Sequence, residues 1–348
     1  MSGYRVGVLG ATGAVGTTIL EVLAEREFPA SEVVAFASGR SVGKKVAFNG
    51  SELECRALSP EAIQGLDIAL ASAGGKVSAE WAPKLVEAGA VVVDNTSYWR
   101  MHDEVPLVVA GVNDDAVESH NGIVANPNCT TMQMMVALAP IHDAAGLERL
   151  VVSTYQSVSG TGREAIRELR EQSRAILDGE RADPHVFPHQ VAFNVLPQVE
   201  TFLDGDDYTT EERKVMRETR KILGLSEDVG ISATCVRVPV VTGHSESVNV
   251  QTRQDLSPED CRELLSAAPG LVVLDDPGDA VYPLPIEVEG RDDVLVGRIR
   301  RDPSHERCLN LWVVGDNLRK GAATNAVQVA ELLAERDLVR VPSAAANG

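Results

Sequence analysis

Three glycines spaced three apart, Gly10, Gly13 and Gly16, join the largely apolar stretch Tyr4–Leu9 to a segment whose Val15, Ile19, Val22 and Leu23 share one side at helical spacing. A strand that turns this tightly into a helix opens a parallel βα unit, because the helix carries the chain back to begin the next strand in the same direction. The texture continues along the first third of the chain. Short buried strands are predicted at Glu32–Ala37, Ile68–Ala71, Val91–Asp94, Leu107–Ala110 and Gly122–Ala125, with a helix over Ser78–Ala88. This alternation predicts an open parallel sheet, hence an α/β domain.

Beyond residue 128 the pattern changes. A helix is predicted from Cys129 through the apolar run Met132–Pro140, and then come longer strands at Leu150–Val158, Val229–Val241, Ser247–Arg253, Val294–Arg301 and Cys308–Val314. Long strands separated by irregular stretches fit an α+β domain with a mostly antiparallel sheet and helices on one face. The last segment, Leu318–Glu335, carries an apolar helical stripe of Ala322, Ala326, Val329, Ala330 and Leu333, and is expected to return to the first domain. The expected domains are therefore 1–128 with 319–348, and 129–318. The small, polar tail Pro342–Gly348 is expected to fray.

With 348 residues, 44% hydrophobic and 24% charged, the chain is long and apolar enough for two folded domains. Its five cysteines (55, 129, 235, 261 and 308) form no CxxC pair and leave an odd one. That pattern suggests neither a disulfide framework nor a zinc site, so a reducing compartment and no metal are expected. No apolar stretch reaches the ~18 residues of a membrane span, and the N-terminus lacks a charged segment with a cleavage site, so a cytoplasmic location is expected. A formal charge of −19 argues against nucleic acid and anionic membranes as partners. For phosphate-bearing ligands the same charge requires local cations that act at short range.

The glycine loop suits such a ligand: spaced glycines let the backbone approach a pyrophosphate placed at a helix N-terminus. The second strand indicates which dinucleotide. An acidic residue near its end would bind the ribose 2′-hydroxyl of NAD, whereas here the strand runs into Ser38-Gly39-Arg40-Ser41. Hydroxyls and an arginine suit a 2′-phosphate, so NADP is the expected cofactor.

Asn126-Pro127-Asn128-Cys129-Thr130-Thr131 places a cysteine at a loop-to-helix junction. The positive end of a helix lowers a thiol's pKa from about 8.5 toward neutrality, which favours the nucleophilic thiolate. Gln156, ending a strand before Ser157-Val158-Ser159-Gly160, is either an acyl-orienting amide or a strand-edge one. Arg237 lies inside an otherwise apolar strand, where its guanidinium demands an anion, either a substrate carboxylate or a structural partner. His244 follows Gly243 in a predicted turn and is the candidate base; the other six histidines (102, 120, 142, 185, 189 and 305) read as residues of polar loops or helix surfaces. Thr209 and Glu212 form a capping box at a helix start, and on spacing alone Glu211 and Lys214 read as an exposed ion pair. Asn95 and Arg100 follow the C-terminal end of another strand, where α/β ligands gather, which makes Arg100 a candidate anion ligand.

Taken together, Gly10–Gly16, Ser72-Ala73-Gly74-Gly75, Asp94–Ser97, Asn126–Thr131, Ser153–Gly160, Arg237–Glu246 and Gly315–Leu318 resemble the bacterial aspartate-semialdehyde dehydrogenases over nearly the whole chain. The resemblance implies a Rossmann-like domain joined to a catalytic and dimerisation domain, and a homodimer. It implies NADPH-dependent reductive dephosphorylation of L-4-aspartyl phosphate to L-aspartate 4-semialdehyde, with release of inorganic phosphate, in lysine, methionine and threonine biosynthesis. It also implies roles: Cys129 as thioester nucleophile, Gln156 as acyl-orienting amide, His244 as acid/base, Arg237 and Glu211 as ligands of the substrate's carboxylate and ammonium, and Arg100, Asn95 and Lys214 as phosphate ligands. Cofactor contacts fall on Gly10, Thr12, Gly13, Ala14, Val15, Gly16, Ser38, Arg40, Ser41, Gly74, Ser159, Gly160 and Asn317. Three rivals remain at this point: an N-acetyl-gamma-glutamyl-phosphate reductase, whose substrate offers no ammonium for Glu211, a cysteine hydrolase using Cys129 and His244 without a redox cofactor, and a non-catalytic nucleotide-binding regulator, which would need no activated thiol.

Overall fold

The computed structural model describes residues 3–339 and divides into two compact units, Met1–Asn128 with Ala322–Gly348, and Cys129–Gly321. The tail expected to fray lies outside the described residues.

The first unit begins as the glycine pattern predicts, with β1 (Tyr4–Leu9) and α1 (Ala14–Glu25), followed by β2 (Ala30–Phe36). A small hairpin of β3 (Lys45–Phe48) and β4 (Ser51–Glu54) was not foreseen; its half-exposed strands are short and carry little apolar periodicity. Then come β5 (Ile68–Ala71), α2 (Gly75–Glu87), β6 (Val91–Asp94) and β7 (Ile123–Ala125). The five long-range strands form one parallel sheet in the order β2-β1-β5-β6-β7. Because βα crossovers cover such a sheet, β5, β6 and β7 are buried along their whole length, which explains their unbroken apolar runs.

The expected strand at Leu107–Ala110 is not one. It touches the sheet only through a bridge from Leu107 to Ala125, because the Asn325 side chain takes the backbone groups a strand would pair: its amide donates to the Val108 carbonyl, and its oxygen accepts from the Ala110 N–H, both at 2.9 Å.

The second unit opens with α3 (Cys129–Ala145), then β8 (Leu147–Gln156), α4 (Arg163–Leu177), α5 (Thr210–Ile222), β9 (Gly230–Arg237), β10 (His244–Thr252), α6 (Pro258–Ala267), β11 (Leu271–Val273), β12 (Val294–Arg301) and β13 (Cys308–Gly315). Its sheet runs β11-β12-β13-β10-β8-β9; the three inner ladders are antiparallel and the two edge pairings, β11 with β12 and β8 with β9, are parallel. Helix α3 lies between this sheet and helices α5 and α6, so it is apolar on every side, from Met132 through Ile141. Strand β9 ends at Arg237, short of the expected Val241, since Pro239 offers no N–H to a ladder.

The chain returns to the first unit through a π turn at Arg319–Ala323 and then α7 (Thr324–Glu335), rather than one continuous helix. The wider i→i+5 turn has no sequence periodicity of its own. Helix α7 packs on α1 and on β5 and β6, burying Ala326, Val327, Val329, Ala330 and Leu333 completely. Among the described residues no helix is long and apolar enough to cross a membrane, and no cluster of metal-ligating side chains occurs.

Candidate active site

In the second unit the expected nucleophile is the first residue of α3. Cys129 is partly accessible, whereas Cys55, Cys235, Cys261 and Cys308 are buried, and none of the five is in a disulfide. Burial pushes each of those four thiols up, Cys261 to about 12. Gly321 makes room for Cys129: a β-carbon there would stand 3.1 Å from the cysteine's Cβ and 3.3 Å from its carbonyl oxygen.

Around it the register of the sheet gathers three expected residues. Strands β8 and β9 end together, with Gln156 paired to Arg237, and β10 starts at His244, opposite Gly315. Gln156 is buried, and its amide donates to Thr154 Oγ1 and to Glu211 Oε1, both at 3.2 Å. Glu211 is therefore no surface residue: the exposed ion pair read from spacing is corrected to a buried carboxylate that contacts Gln156, with Lys214 Nζ at 3.4 Å and also paired with Glu200. What buries Glu211 is the helix start itself. The capping box of Thr209 and Glu212 is present as read, and Glu212 also accepts from the Cys235 N–H at 3.0 Å, which clamps α5 onto β9.

Arg237 is 5% exposed, with Nη1 donating to the Ser157 carbonyl and Nε without a partner. Burial pulls its pKa down and Glu211 opposes that; the same guanidinium acts electrostatically on Cys129 and on His244. A buried guanidinium with an unused edge is built to receive an anion. His244 is fully buried, not exposed in a turn, because it heads a strand covered by α3; its Nδ1 accepts from the Ser157 N–H at 3.1 Å, and Nε2 has no partner. Burial first, and Arg237 second, hold its imidazole well below the ordinary range. A second histidine also departs from the surface reading: His120 is buried, bonded to the Gly122 N–H and the Leu338 carbonyl.

Ser159 and Asn317 are buried partners. The Asn317 oxygen accepts from Ser157 and Ser159 hydroxyls and from the Gly243 N–H, at 3.0, 3.1 and 3.0 Å, so the expected cofactor contact is engaged in holding the loop before His244. Gly160 is a wall of the same site: a β-carbon would meet His244 Nε2 at 3.2 Å.

The first unit holds the other expected residues. Gly10 adopts φ +82°, and a β-carbon there would meet the Ser72 carbonyl at 2.6 Å, while one at Gly16 would collide with the Gly10 carbonyl. Gly13 is exposed and precedes α1, which has neither a side-chain cap nor an acid in its first turn. Thr12, Ala14 and Val15 line this turn at intermediate exposure. Ser38 and Arg40 are exposed just past β2, Ser41 is partly exposed, and Arg40 has no ion pair with any described residue. Gly74, at φ +91° with open space around it, precedes α2. These are the features a dinucleotide phosphate requires: bare backbone N–H groups, an uncapped helix start and a free cation.

Arg100 is buried, its Nε donating to the Asn126 carbonyl at 2.9 Å and Nη2 to the Asn95 carbonyl at 2.8 Å. Asn95 Oδ1 accepts from Asn126, leaving its buried Nδ2 without a partner. Sequence reasoning passed over the residue that shapes this loop. Asp94 accepts from Thr96 N at 2.8 Å and from the Thr96 and Ser78 hydroxyls at 2.5 Å, although burial raises its pKa. An Asp with a Thr two residues on is the signal that could have found it.

Comparison with known proteins agrees with this geometry. Residues 5–120 match the family described as "Semialdehyde dehydrogenase, NAD binding domain", and residues 138–320 match "Semialdehyde dehydrogenase, dimerisation domain". The aspartate-semialdehyde dehydrogenase of Aquifex aeolicus is 54% identical over 97% of this chain and 100% of that protein. The chain belongs to the aspartate-semialdehyde dehydrogenase family. Its fold matches the crystal structure of aspartate semialdehyde dehydrogenase II from Vibrio cholerae complexed with ASA, with a TM-score of 0.93 and 47% identity over 96% of this chain and 99% of that one. The family's enzyme from Candida albicans, solved with NADP, matches with a TM-score of 0.75 and 25% identity, covering 96% and 99%.

Within this aspartate-semialdehyde dehydrogenase site, the residues not foreseen are Ser157, whose peptide joins Arg237 to His244, and Gln133, whose amide donates to the His244 carbonyl at 3.1 Å. A serine in a strand-end loop and a glutamine in an apolar helix carry no distinctive spacing; only the fold brings them to the histidine.

Proposed function

We propose that this protein is an NADP-dependent aspartate-semialdehyde dehydrogenase that converts L-4-aspartyl phosphate to L-aspartate 4-semialdehyde through a thioester on Cys129, and that it works as a homodimer. The observation that carries the assignment is that the one cysteine not fully buried starts a helix beside a buried arginine with an unused edge. Cys129 forms the thioester, Arg237 pairs with the substrate's α-carboxylate, and Glu211 with its ammonium. Gln156, held by Glu211 and Thr154, orients the acyl group, and His244 serves its oxygen. Asn95, with a spare N–H, Arg100 and Lys214 are the phosphate ligands; these cations offset the −19 field at short range. The uncapped turn at Gly10–Gly16 suits the dinucleotide's pyrophosphate, and Ser38 and Arg40, with no acid beside them, suit a 2′-phosphate. The dinucleotide that these residues would hold would supply the hydride. The relative from Candida albicans solved with NADP supports the same cofactor.

The buried carboxylate of Glu211 favours an amino-bearing substrate over an N-acylated one, since an ammonium makes a charge-assisted hydrogen bond with it that a neutral acylated nitrogen does not match. The test is phosphate-dependent formation of reduced NADP from L-aspartate 4-semialdehyde, run beside the N-acetylated glutamate semialdehyde. Turnover of the first only is expected; preference for the second would overturn the substrate assignment.

A further inference from the structure

Helix α4 carries two polar residues on the face it buries. Its covered residues are Ala165, Glu168, Leu169 and Gln172, and the Glu168 side chain is fully enclosed. Burying a carboxyl group and an amide is costly unless both are hydrogen-bonded, and neither has a part in the thioester chemistry. Their peptide partners all lie in one segment. Residues 183–192 contain Pro184 and Pro188 and form no helix or strand, so their N–H groups need acceptors from elsewhere. Glu168 Oε2 accepts from the N–H groups of Val186 and, at 3.2 Å, of His185, and Oε1 accepts from that of Phe187 at 3.5 Å. One turn along α4, Gln172 Oε1 accepts from Val191 and Ala192 at 2.9 and 3.2 Å, while its Nε2 donates to Glu168 Oε1 at 3.0 Å.

The same stretch of chain then reaches Arg237. Leu196 and Arg237 exchange both peptide hydrogen bonds, at 2.9 and 2.8 Å, so the stretch is fixed by α4 at one end and by the strand end that carries the guanidinium at the other. At the α4 end the Phe187 ring packs on the apolar cluster that includes Val158 and Leu169. The guanidinium carbon of Arg237 lies over this ring, 5.7 Å from its centroid. An aromatic face attracts such a cation, most strongly where water is excluded, and Arg237 is buried. Unlike an acid, the ring restrains the guanidinium without neutralising it, and the charge stays available to an anion. Glu211, the acid that acts most on Arg237, is itself bonded to Gln156 and paired with Lys214.

We propose that residues 183–192, clamped by Glu168 and Gln172, form the wall that aims Arg237 at the substrate's carboxylate, with Phe187 as the positioning residue in contact with the guanidinium. The proposal rests on the assignment of Arg237 to that carboxylate above. Glu168 and Gln172 fix the peptides, the peptides fix the ring, and the ring fixes the cation. With Nη1 held by the Ser157 carbonyl, this restraint sets the direction of the Nε–H, which has no partner within the protein.

The test is steady-state kinetics of the full-length protein consuming L-aspartate 4-semialdehyde, phosphate and NADP, with Phe187→Leu and Phe187→Tyr. Leucine keeps the apolar packing and loses the π face; tyrosine keeps both. Phe187→Leu is expected to raise the semialdehyde KM roughly 5- to 30-fold, with the KM values for phosphate and NADP near the parent's. Phe187→Tyr should restore most of the loss. A parental semialdehyde KM in Phe187→Leu would overturn the proposal, and so would equal rises in all three KM values with a lowered melting temperature, the mark of a general loss of structure. The clamp is read through Glu168→Gln, which keeps the size of the side chain but turns an NH2 toward a peptide N–H. It should raise the same KM and add little to Phe187→Leu in the double variant, because both act through one ring. Full additivity would detach the clamp from Arg237 and overturn its role. If Glu168→Gln does not fold, Gln172→Met, which removes the acceptor used by Val191 and Ala192, goes through the same cycle with the same outcomes. Arg237→Lys, measured in parallel, separates the two readings. An unchanged semialdehyde KM there would remove Arg237 from the substrate site and the proposal with it, whereas a raised KM there beside a parental one in Phe187→Leu would leave the site standing and sink the proposal alone.

Discussion

A β-carbon at position 160 would stand 3.2 Å from His244 Nε2 and 3.3 Å from Cε1, with Arg237 Nη1 at 3.5 Å. Gly160→Ala therefore pushes on both His244 and Arg237, while its own backbone is ordinary and its surface exposed. Misplacing reacting groups by about 1 Å can cost ~100-fold, so a shift of a few tenths should lower kcat by roughly tenfold, with the melting temperature nearly unchanged. A variant as active as the parent in steady-state assays would show that this wall is not part of the site. At the cofactor end, Arg40→Ala removes one charge-assisted hydrogen bond worth about 1.5–3 kcal/mol, which weakens NADPH binding roughly 10- to 100-fold. NADH binding, which involves no 2′-phosphate, should barely move. Titration calorimetry with both dinucleotides checks the difference, and equal losses would remove Arg40 from the site. Cys129, Arg237 and His244 stand out in the sequence because each breaks its local pattern: a thiol at a helix start, a charge in an apolar strand, a histidine after a glycine; Gln156, at a strand end, breaks none. Ser157 does not stand out either, because it acts through a peptide group that every residue possesses.

At the scale of elements, β10 and α3 enclose two polar side chains, Glu246 and Gln133, which face each other in an otherwise apolar layer. Burial raises the Glu246 pKa well above its ordinary value, so in the pH range just above that ordinary value the folded state binds a proton that the unfolded state has lost. The sign follows: stability falls as pH rises through that window, by at most ~1.4 kcal/mol per pH unit. Glu246→Gln removes the titration. In urea denaturation it should match the parent near pH 4 and exceed it increasingly toward pH 7; a constant difference across pH would show that Glu246 is ionised in the folded protein. The elements themselves were largely readable wherever one period ruled, as in β1, α1 and the capped start of α5. The misreadings share a cause. Leu107–Ala110, the end of β9 and the π turn before α7 are decided by Asn325, Pro239 and the chain's return, and none of these alters the local hydrophobic period.

For the whole molecule, the match of residues 138–320 to a dimerisation domain predicts that sedimentation will give the mass of two 37.2 kDa chains; a single-chain mass at micromolar protein would contradict the dimer. The charge of −19 has a consequence at this scale as well: an anionic ligand meets an unfavourable field until a local cation acts on it at short range. All of this converges on one atom, the Cys129 sulfur. The most direct measurement is rapid-quench mass spectrometry after mixing the protein with L-aspartate 4-semialdehyde and NADP in the absence of phosphate, followed by peptide mapping. The account predicts a single aspartyl group on Cys129, formed together with reduced cofactor and released when phosphate is added. An unmodified Cys129 beside reduced cofactor, or an acyl group on any other residue, would contradict it.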